Sequence, residues 1–95
     1  MASAKALKLL ERLRRSTANA KPEDIKALYR AFGFIIEPRK RHDQAFHPDH
    51  LDDRNLFGTI PRHRDLAEYV AKQAVELVDK ILALEKEKEE RNGKQ

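Results

Sequence analysis

The sequence predicts an α+β domain in which helices cover one face of a three-stranded antiparallel sheet. Apolar residues recur at helical spacing before residue 33 and again after residue 65. Between these two stretches lie three short strand candidates, separated by turn-forming residues. Because short connections join consecutive strands as hairpins, the order helix, helix, three strands, helix indicates an antiparallel sheet packed against helices.

The first two helices are predicted from their apolar stripes. Over residues 4–15 the stripe of a short amphipathic helix consists of Ala6, Leu9, Leu10 and Leu13. After a small, polar linker, Pro22 fits the first position of a second helix, with Glu23 and Asp24 favourable in its first turn. The stripe of this second helix consists of Ile25, Leu28, Tyr29 and Phe32. Gly33 is the expected helix stop.

The three strand candidates follow at once. Residues 34–37 are apolar and β-branched, and Pro38 is expected to end that strand. Residues 43–47 form the second candidate and residues 55–60 the third, with an acidic loop at 49–54 between them. In an extended strand, His42, Gln44 and Phe46 would share one face, and Asp43, Ala45 and His47 would share the other. Phe46 would then pack in the core or stack on a nucleic-acid base.

A long final helix is predicted from residue 65, with Asp65 as its N-cap. Its stripe consists of Leu66, Tyr69, Val70, Ala74, Leu77, Val78, Ile81 and Leu84. The outer end, residues 77–84, extends further than a small sheet can cover. It therefore indicates a homodimer through this helix, a contact with a partner protein, or docking of Leu7, Leu10 and Leu13. Residues 85–95 carry no apolar anchor and are expected to fray.

Composition excludes several classes of function. The 95-residue chain has no cysteine, which excludes a disulfide framework, a thiol nucleophile and a thiolate zinc site. No apolar run approaches the roughly 18 residues of a membrane span, and Lys8, Glu11 and Arg12 interrupt the N-terminal apolar stretch. We therefore expect a cytoplasmic protein with no membrane contact. The net charge of +4 is small, with 20 cations set against 16 anions, so the distribution of charge is more informative.

The candidate site is a basic cluster around two histidines. Its cations are Arg39, Lys40, Arg41, Arg62 and Arg64, and its histidines are His42 and His63. Cleavage of RNA without a metal needs a base for the 2′-hydroxyl, an acid for the leaving oxygen and cations for the phosphorane. Histidine suits both proton-transfer roles because its side chain ordinarily titrates near neutral pH. The alternatives are a surface histidine for His42, and a cap or packing residue for His63.

Residues 47–53 are the only stretch that suggests a metal. Histidine and carboxylate side chains there could bind a divalent ion. The spacing matches no standard metal loop, so a polar hairpin loop is the preferred interpretation and no metal is expected.

Together these residues resemble a known family, the HicA-type mRNA interferase toxins of bacterial toxin–antitoxin systems. Four features over about residues 21–82 carry the resemblance. They are Phe32-Gly33-Phe34 at the end of a helix, His42 at the family's catalytic histidine, His47-Pro48 at a strand end, and Thr59-Ile60-Pro61-Arg62-His63 before the last helix. One feature departs from the family, because Lys40-Arg41 stands in place of its Gly-Ser.

The resemblance implies a fold like that of double-stranded-RNA-binding domains. It also implies that His42 is catalytic, that mRNA is the substrate, that no cofactor is needed and that a HicB-like antitoxin is the partner. The organisation expected from it is an N-terminal helix and linker (1–20), a HicA-like domain (21–84) and a charged tail (85–95). Phosphate contacts fall to Arg39, Lys40, Arg41, Arg62, His63 and Arg64.

Two other functions remain open from the sequence. Glycine permits backbone conformations that lysine resists, so the loss of Gly-Ser favours a non-catalytic RNA-binding module on the same fold. The apolar end of the last helix favours instead a protein-interaction domain that needs no nucleic acid.

Overall fold

The computed structural model describes residues 3–62 and 68–93, with side chains described as far as residue 90. Three α-helices and three strands make up this part of the chain. The helices are α1 (Ala4–Arg15), α2 (Pro22–Ala31) and α3 (Glu68–Gly93), and the strands are β1 (Ile35–Pro38), β2 (His42–Phe46) and β3 (Gly58–Pro61). The predicted α+β class and element order are confirmed.

The sheet is antiparallel, with β2 between β1 and β3. Ile35 pairs with Phe46 across the first hairpin, and His42 pairs with Pro61 across the second. Pro38 is the last residue of β1 rather than the residue after it. It is tolerated there because β1 is an edge strand and proline cannot donate to a ladder.

Local signals explain the first two helices. Ser3 caps α1 by accepting a hydrogen bond from the Ala6 N–H. Pro22 begins α2, and Asp24 accepts from the Lys21 N–H. Gly33 follows α2 with a φ of +87°, in the region that favours glycine, and so reverses the chain into β1.

The helices pack on one face of the sheet. Asp43 and Ala45 of β2 and Ile60 of β3 point to this face and are buried. Tyr29 of α2 lies over Gly58, where an added Cβ would stand 2.2 Å from the tyrosine hydroxyl. The opposite face, with His42, Gln44 and Phe46, is only partly buried. The predicted distribution of β2 side chains between the two faces is confirmed.

The N-terminal helix belongs to the core. Ala6, Leu10 and Leu13 of α1 are buried together with residues of α2, α3 and the sheet. Arg14 donates to both carboxylate oxygens of Asp79 in α3, at 2.8 and 2.9 Å. The boundary expected at residue 20 therefore divides only the sequence. In the structure, α1 shares one hydrophobic core with the other elements.

The structure confirms one of the alternatives predicted for the apolar end of the final helix. Leu10 and Leu13 of α1 pack in the same core as this end, whereas Leu7 is exposed. Leu77, Val78 and Ile81 are therefore buried within the chain and offer no outer surface for a dimer. The helix also continues to Gly93, and its side chains from Ala83 to Glu90 are exposed. The expected N-cap Asp65 and the stripe residue Leu66 lie outside the described residues. No helix in the described ranges is both long and apolar enough to span a membrane.

Two strand boundaries are shifted by one residue and a third by three. The first strand covers 35–38 instead of 34–37, and the second covers 42–46 instead of 43–47. The third begins at Gly58 because residues Arg54–Leu56 form a 3₁₀ turn, in which the Asp53 side chain accepts from the Asn55 N–H. The earlier start of β2 places His42 inside the sheet.

Candidate nucleic-acid site

The basic cluster lies on the hairpin turn between β1 and β2. The Arg39 N–H donates to the His42 carbonyl at 2.9 Å, which leaves Lys40 and Arg41 as the two exposed residues at the tip. Neither has a positive φ. This turn therefore requires no glycine, and Lys40 and Arg41 occupy it without backbone strain.

His42 is the first residue of β2 and lies on the open face of the sheet. It is half-buried and pairs with Pro61 of β3. Its ring borders an open depression of about 630 Å³ whose other lining residues are Arg39, Lys40, Arg41 and Gln44. No described residue makes a hydrogen bond to the imidazole, so neither ring nitrogen is occupied by a described partner.

Arg39 is directed along the same open face. Its guanidinium donates to the Gln44 side-chain oxygen at 3.2 Å and lies 3.3 Å from a carboxylate oxygen of Glu37. This exposed pairing partly neutralises Arg39. Lys40 and Arg41 form no ion pair with any described residue, so their charges are the least neutralised among the described cations of the cluster.

Arg62 makes contacts within the chain that were not predicted from the sequence. Its Nε and Nη2 donate to one carboxylate oxygen of Asp43 at 3.2 and 3.1 Å. The same guanidinium also donates to the backbone carbonyls of Arg39 and Lys40. All three of its nitrogens are engaged, so Arg62 binds the turn to β2 and holds the backbone beneath Lys40 and Arg41.

Asp43 was not among the predicted site residues. Its side chain is on the helix face, and the residue is only 6% exposed. Lys26 of α2 contacts its second carboxylate oxygen at 2.8 Å. The hydrogen bond from Lys26 and that from Arg62 hold the pKa of Asp43 below its ordinary value, although burial acts in the opposite direction. In the sequence, the signal for a buried ion-pair partner of this kind is an acidic residue at a strand position that faces the helices.

The remaining residues considered from the sequence are His63, Arg64 and His47. His63 and Arg64 lie outside the described residues. His47 is buried in the core, where its Nδ1 accepts from the Asp49 N–H and its ring packs edge-on against Phe34. In residues 3–62 and 68–93, no three potential metal ligands among histidine, aspartate and glutamate lie close enough together to hold an ion.

The site therefore combines an imidazole and two cations whose side chains have no partner among the described residues, on a turn held by Arg62. Comparisons of the chain with protein-family models, with curated proteins and with solved structures find no match. The resemblance to HicA-type toxins thus rests on residues 32–34, 42, 47–48 and 59–63 alone.

Proposed function

We propose that this chain is a metal-independent endoribonuclease of the HicA type, with His42 as its acid–base residue. The observation that carries the proposal is the position of His42, which stands on the open sheet face within one depression with Lys40 and Arg41. The element order α2, β1, β2, β3, α3 supports a double-stranded-RNA-binding-domain-like fold, since that is the order of helices and strands in such domains.

In the proposed reaction, His42 accepts the proton of a 2′-hydroxyl. The 2′-oxygen then bonds to the adjacent phosphorus, and the bond from phosphorus to the 5′-oxygen breaks. The leaving oxygen takes a proton from His63 or from water, and the products are a 2′,3′-cyclic phosphate and a 5′-hydroxyl. General acid–base catalysis of this kind contributes about 10²–10⁴-fold to a rate. Lys40 and Arg41 stabilise the charge that develops on the phosphorane.

The physiological setting follows from the same resemblance. We propose mRNA as the substrate and a HicB-like antitoxin as the partner in the cytoplasm. An acidic antitoxin surface that covers Lys40 and Arg41 would block both phosphate binding and access to His42. Coexpression should then protect cells from growth arrest caused by this chain.

Replacement of His42 tests the catalytic role. His42→Ala is expected to lower RNA cleavage by at least about 10²-fold without a loss of RNA binding, because the cations of the turn remain. His50→Ala is a matched control, since His50 is also half-buried but follows β2 at the other end of the strand. Equal activity of the His42→Ala variant and the wild type would contradict the mechanism.

A non-catalytic RNA-binding module is the second candidate, and the cations at positions 40 and 41 favour it as well. It predicts RNA affinity that falls with salt and with Arg41→Ala, but no cleavage by the folded wild-type protein. Cleavage by the wild type therefore distinguishes the two candidates. The burial of Leu77 and Ile81 removes the observation that favoured a helix-mediated interaction domain.

A further inference from the structure

A pair of aromatic side chains lies on the open face of the sheet. The rings of Phe46 and Phe57 are stacked, with centroids 6.0 Å apart and planes 24° from parallel. Both residues are half-buried, and Ile35, which pairs with Phe46, is 45% exposed. The described helices pack on the opposite face. Apolar side chains on a sheet face that no described element covers indicate a surface that meets a ligand.

The aromatic pair is continuous with the proposed cleavage site. His42 and Phe46 lie on the same face of β2, four residues apart, which corresponds to about 13 Å along the strand. Between them lies Gln44, opposite Thr59 of β3. Both are polar side chains able to form hydrogen bonds with a sugar or a base edge. The open face therefore runs from cations, through polar groups, to an aromatic surface.

Aromatic side chains beside a basic groove are typical of surfaces that bind single-stranded nucleic acid, because every base has a face that can stack. The cations Lys40 and Arg41 meet the backbone at one end of this surface. At the other end, acidic residues of the loop after β2 would repel phosphate. They are Asp49, Asp52 and Asp53. The surface therefore fits a short segment of RNA and excludes a long track.

We propose that Phe46 and Phe57 form a base-stacking subsite for single-stranded RNA, next to the phosphate held at His42. This inference rests on the proposed function and adds a substrate class to it. Bases locked in a duplex cannot turn their faces toward the pair, so the subsite selects unpaired RNA.

Binding of a non-cleavable RNA tests the subsite independently of catalysis. The probe is a fluorescent, 2′-O-methylated single-stranded hexanucleotide, whose blocked 2′-oxygen cannot attack the phosphate. Phe46→Leu keeps an apolar side chain but removes the aromatic face, and it is expected to weaken binding by roughly 5- to 150-fold. Tyr69→Leu is the control, because Tyr69 is a 66% exposed aromatic residue on α3. It should leave the affinity unchanged.

A second probe separates stacking from general damage. The same oligonucleotide without its bases should bind the wild type and the Phe46→Leu variant equally, with circular dichroism confirming that both are folded. The proposed subsite would be contradicted if Phe46→Leu weakened the binding of both probes. It would also be contradicted if Phe46→Leu bound both probes as tightly as the wild type does. A change of mass in light scattering on Phe46→Leu would contradict it too, since that change would assign this face to a second copy of the chain. If the wild type does not cleave RNA, this binding test still applies, because the probe cannot be cleaved. The proposed function and the proposed subsite can therefore be refuted independently.

Discussion

At the scale of single residues, the charge available to a ligand depends on which cations are already paired. Arg39 contacts Glu37, and Arg62 contacts Asp43, whereas Lys40 and Arg41 project from the turn without a described ion-pair partner. Lys40 and Arg41, which stand where the HicA-type toxins that the chain resembles have Gly-Ser, are thus the main free cations of the described site. We expect them to contribute more to RNA binding than Arg39 or Arg62.

Salt dependence distinguishes a phosphate contact from a brace. Arg41→Gln should reduce the slope of log affinity against log salt by about 0.7, because one phosphate contact on single-stranded RNA is lost. Arg62→Gln removes the same charge but should leave the slope unchanged. It should nevertheless lower cleavage, because the turn that carries Lys40 and Arg41 is no longer held in place. Equal reductions of the slope in the two variants would show that Arg62 contacts phosphate instead.

The ion pairs of Asp43 predict a pH dependence of stability. The folded-state pKa of Asp43 is lowered, chiefly by the hydrogen bond from Lys26, and so lies below an unfolded value of about 3.9. Its contribution is therefore complete above that value and is lost as pH falls through the folded pKa. Urea denaturation should show wild-type stability decreasing below about pH 4.

The variant Asp43→Asn isolates this residue from other carboxylates. It should be less stable than the wild type at pH 7 by about 1.5–3 kcal/mol, the range for a hydrogen bond to a charged group. The difference should narrow as the pH falls below about 4. Asp52→Asn, at an exposed position, should match the wild type throughout. A difference between wild type and Asp43→Asn that stays constant with pH would contradict the ion-pair account.

At this scale, the sequence could not predict which charged side chains pair with one another. Arg39, Arg62 and Arg41 look equivalent along the chain, since each is a cation close to a histidine. Their roles differ because Lys26, Asp43 and Arg62 come from α2, β2 and the residue after β3, and only the fold brings them together. His42 was predicted correctly to share a face with Phe46, because strand alternation is a local property.

At the scale of elements, one face of α1 forms part of the hydrophobic core. Leu10 is 3% exposed and Leu7 is 44% exposed, although they are three residues apart. Leu10→Ala should lower the free energy of unfolding by about 2–5 kcal/mol, because it leaves a cavity among buried side chains. Leu7→Ala on the same helix should change it by less than about 0.5 kcal/mol. Similar small losses in both variants, measured by urea denaturation, would show that α1 is not part of the core.

Helices were easier to predict than strand ends. The bounds of α1 follow from its apolar stripe, and those of α2 follow from Pro22 at its start and Gly33 after its end, all of which act locally. The start of β3 did not follow from composition. Residues 54–56 have strand-like neighbours but turn instead, because Asp53 offers its side chain to the backbone two residues later.

At the scale of the whole molecule, the packing of α1 changes the meaning of the long apolar stripe on α3. A small sheet alone would leave Leu77 and Ile81 exposed, which favoured a dimer. Both are buried because α1 and α2 also pack in this core. A homodimer through α3 remains a prediction, but the buried Leu77 and Ile81 cannot contribute to it.

The molecule thus presents two different sides. One is a closed helical layer, and the other is an open sheet face that begins at a basic turn and ends at an aromatic pair. The helical layer, the sheet and the position of His42 could be anticipated from sequence. The depression beside His42 and the bracing of its turn could not, because they depend on contacts across about 20 residues of chain.

Analysis of the RNA products made in excess chelator tests the central claim most directly. The wild-type protein should cleave single-stranded RNA under these conditions and leave 2′,3′-cyclic phosphates and 5′-hydroxyls, since the attacking group is the substrate's own 2′-oxygen. Cleavage that stops when metal is removed, or that leaves 5′-phosphates, would contradict the proposed chemistry and the role of His42.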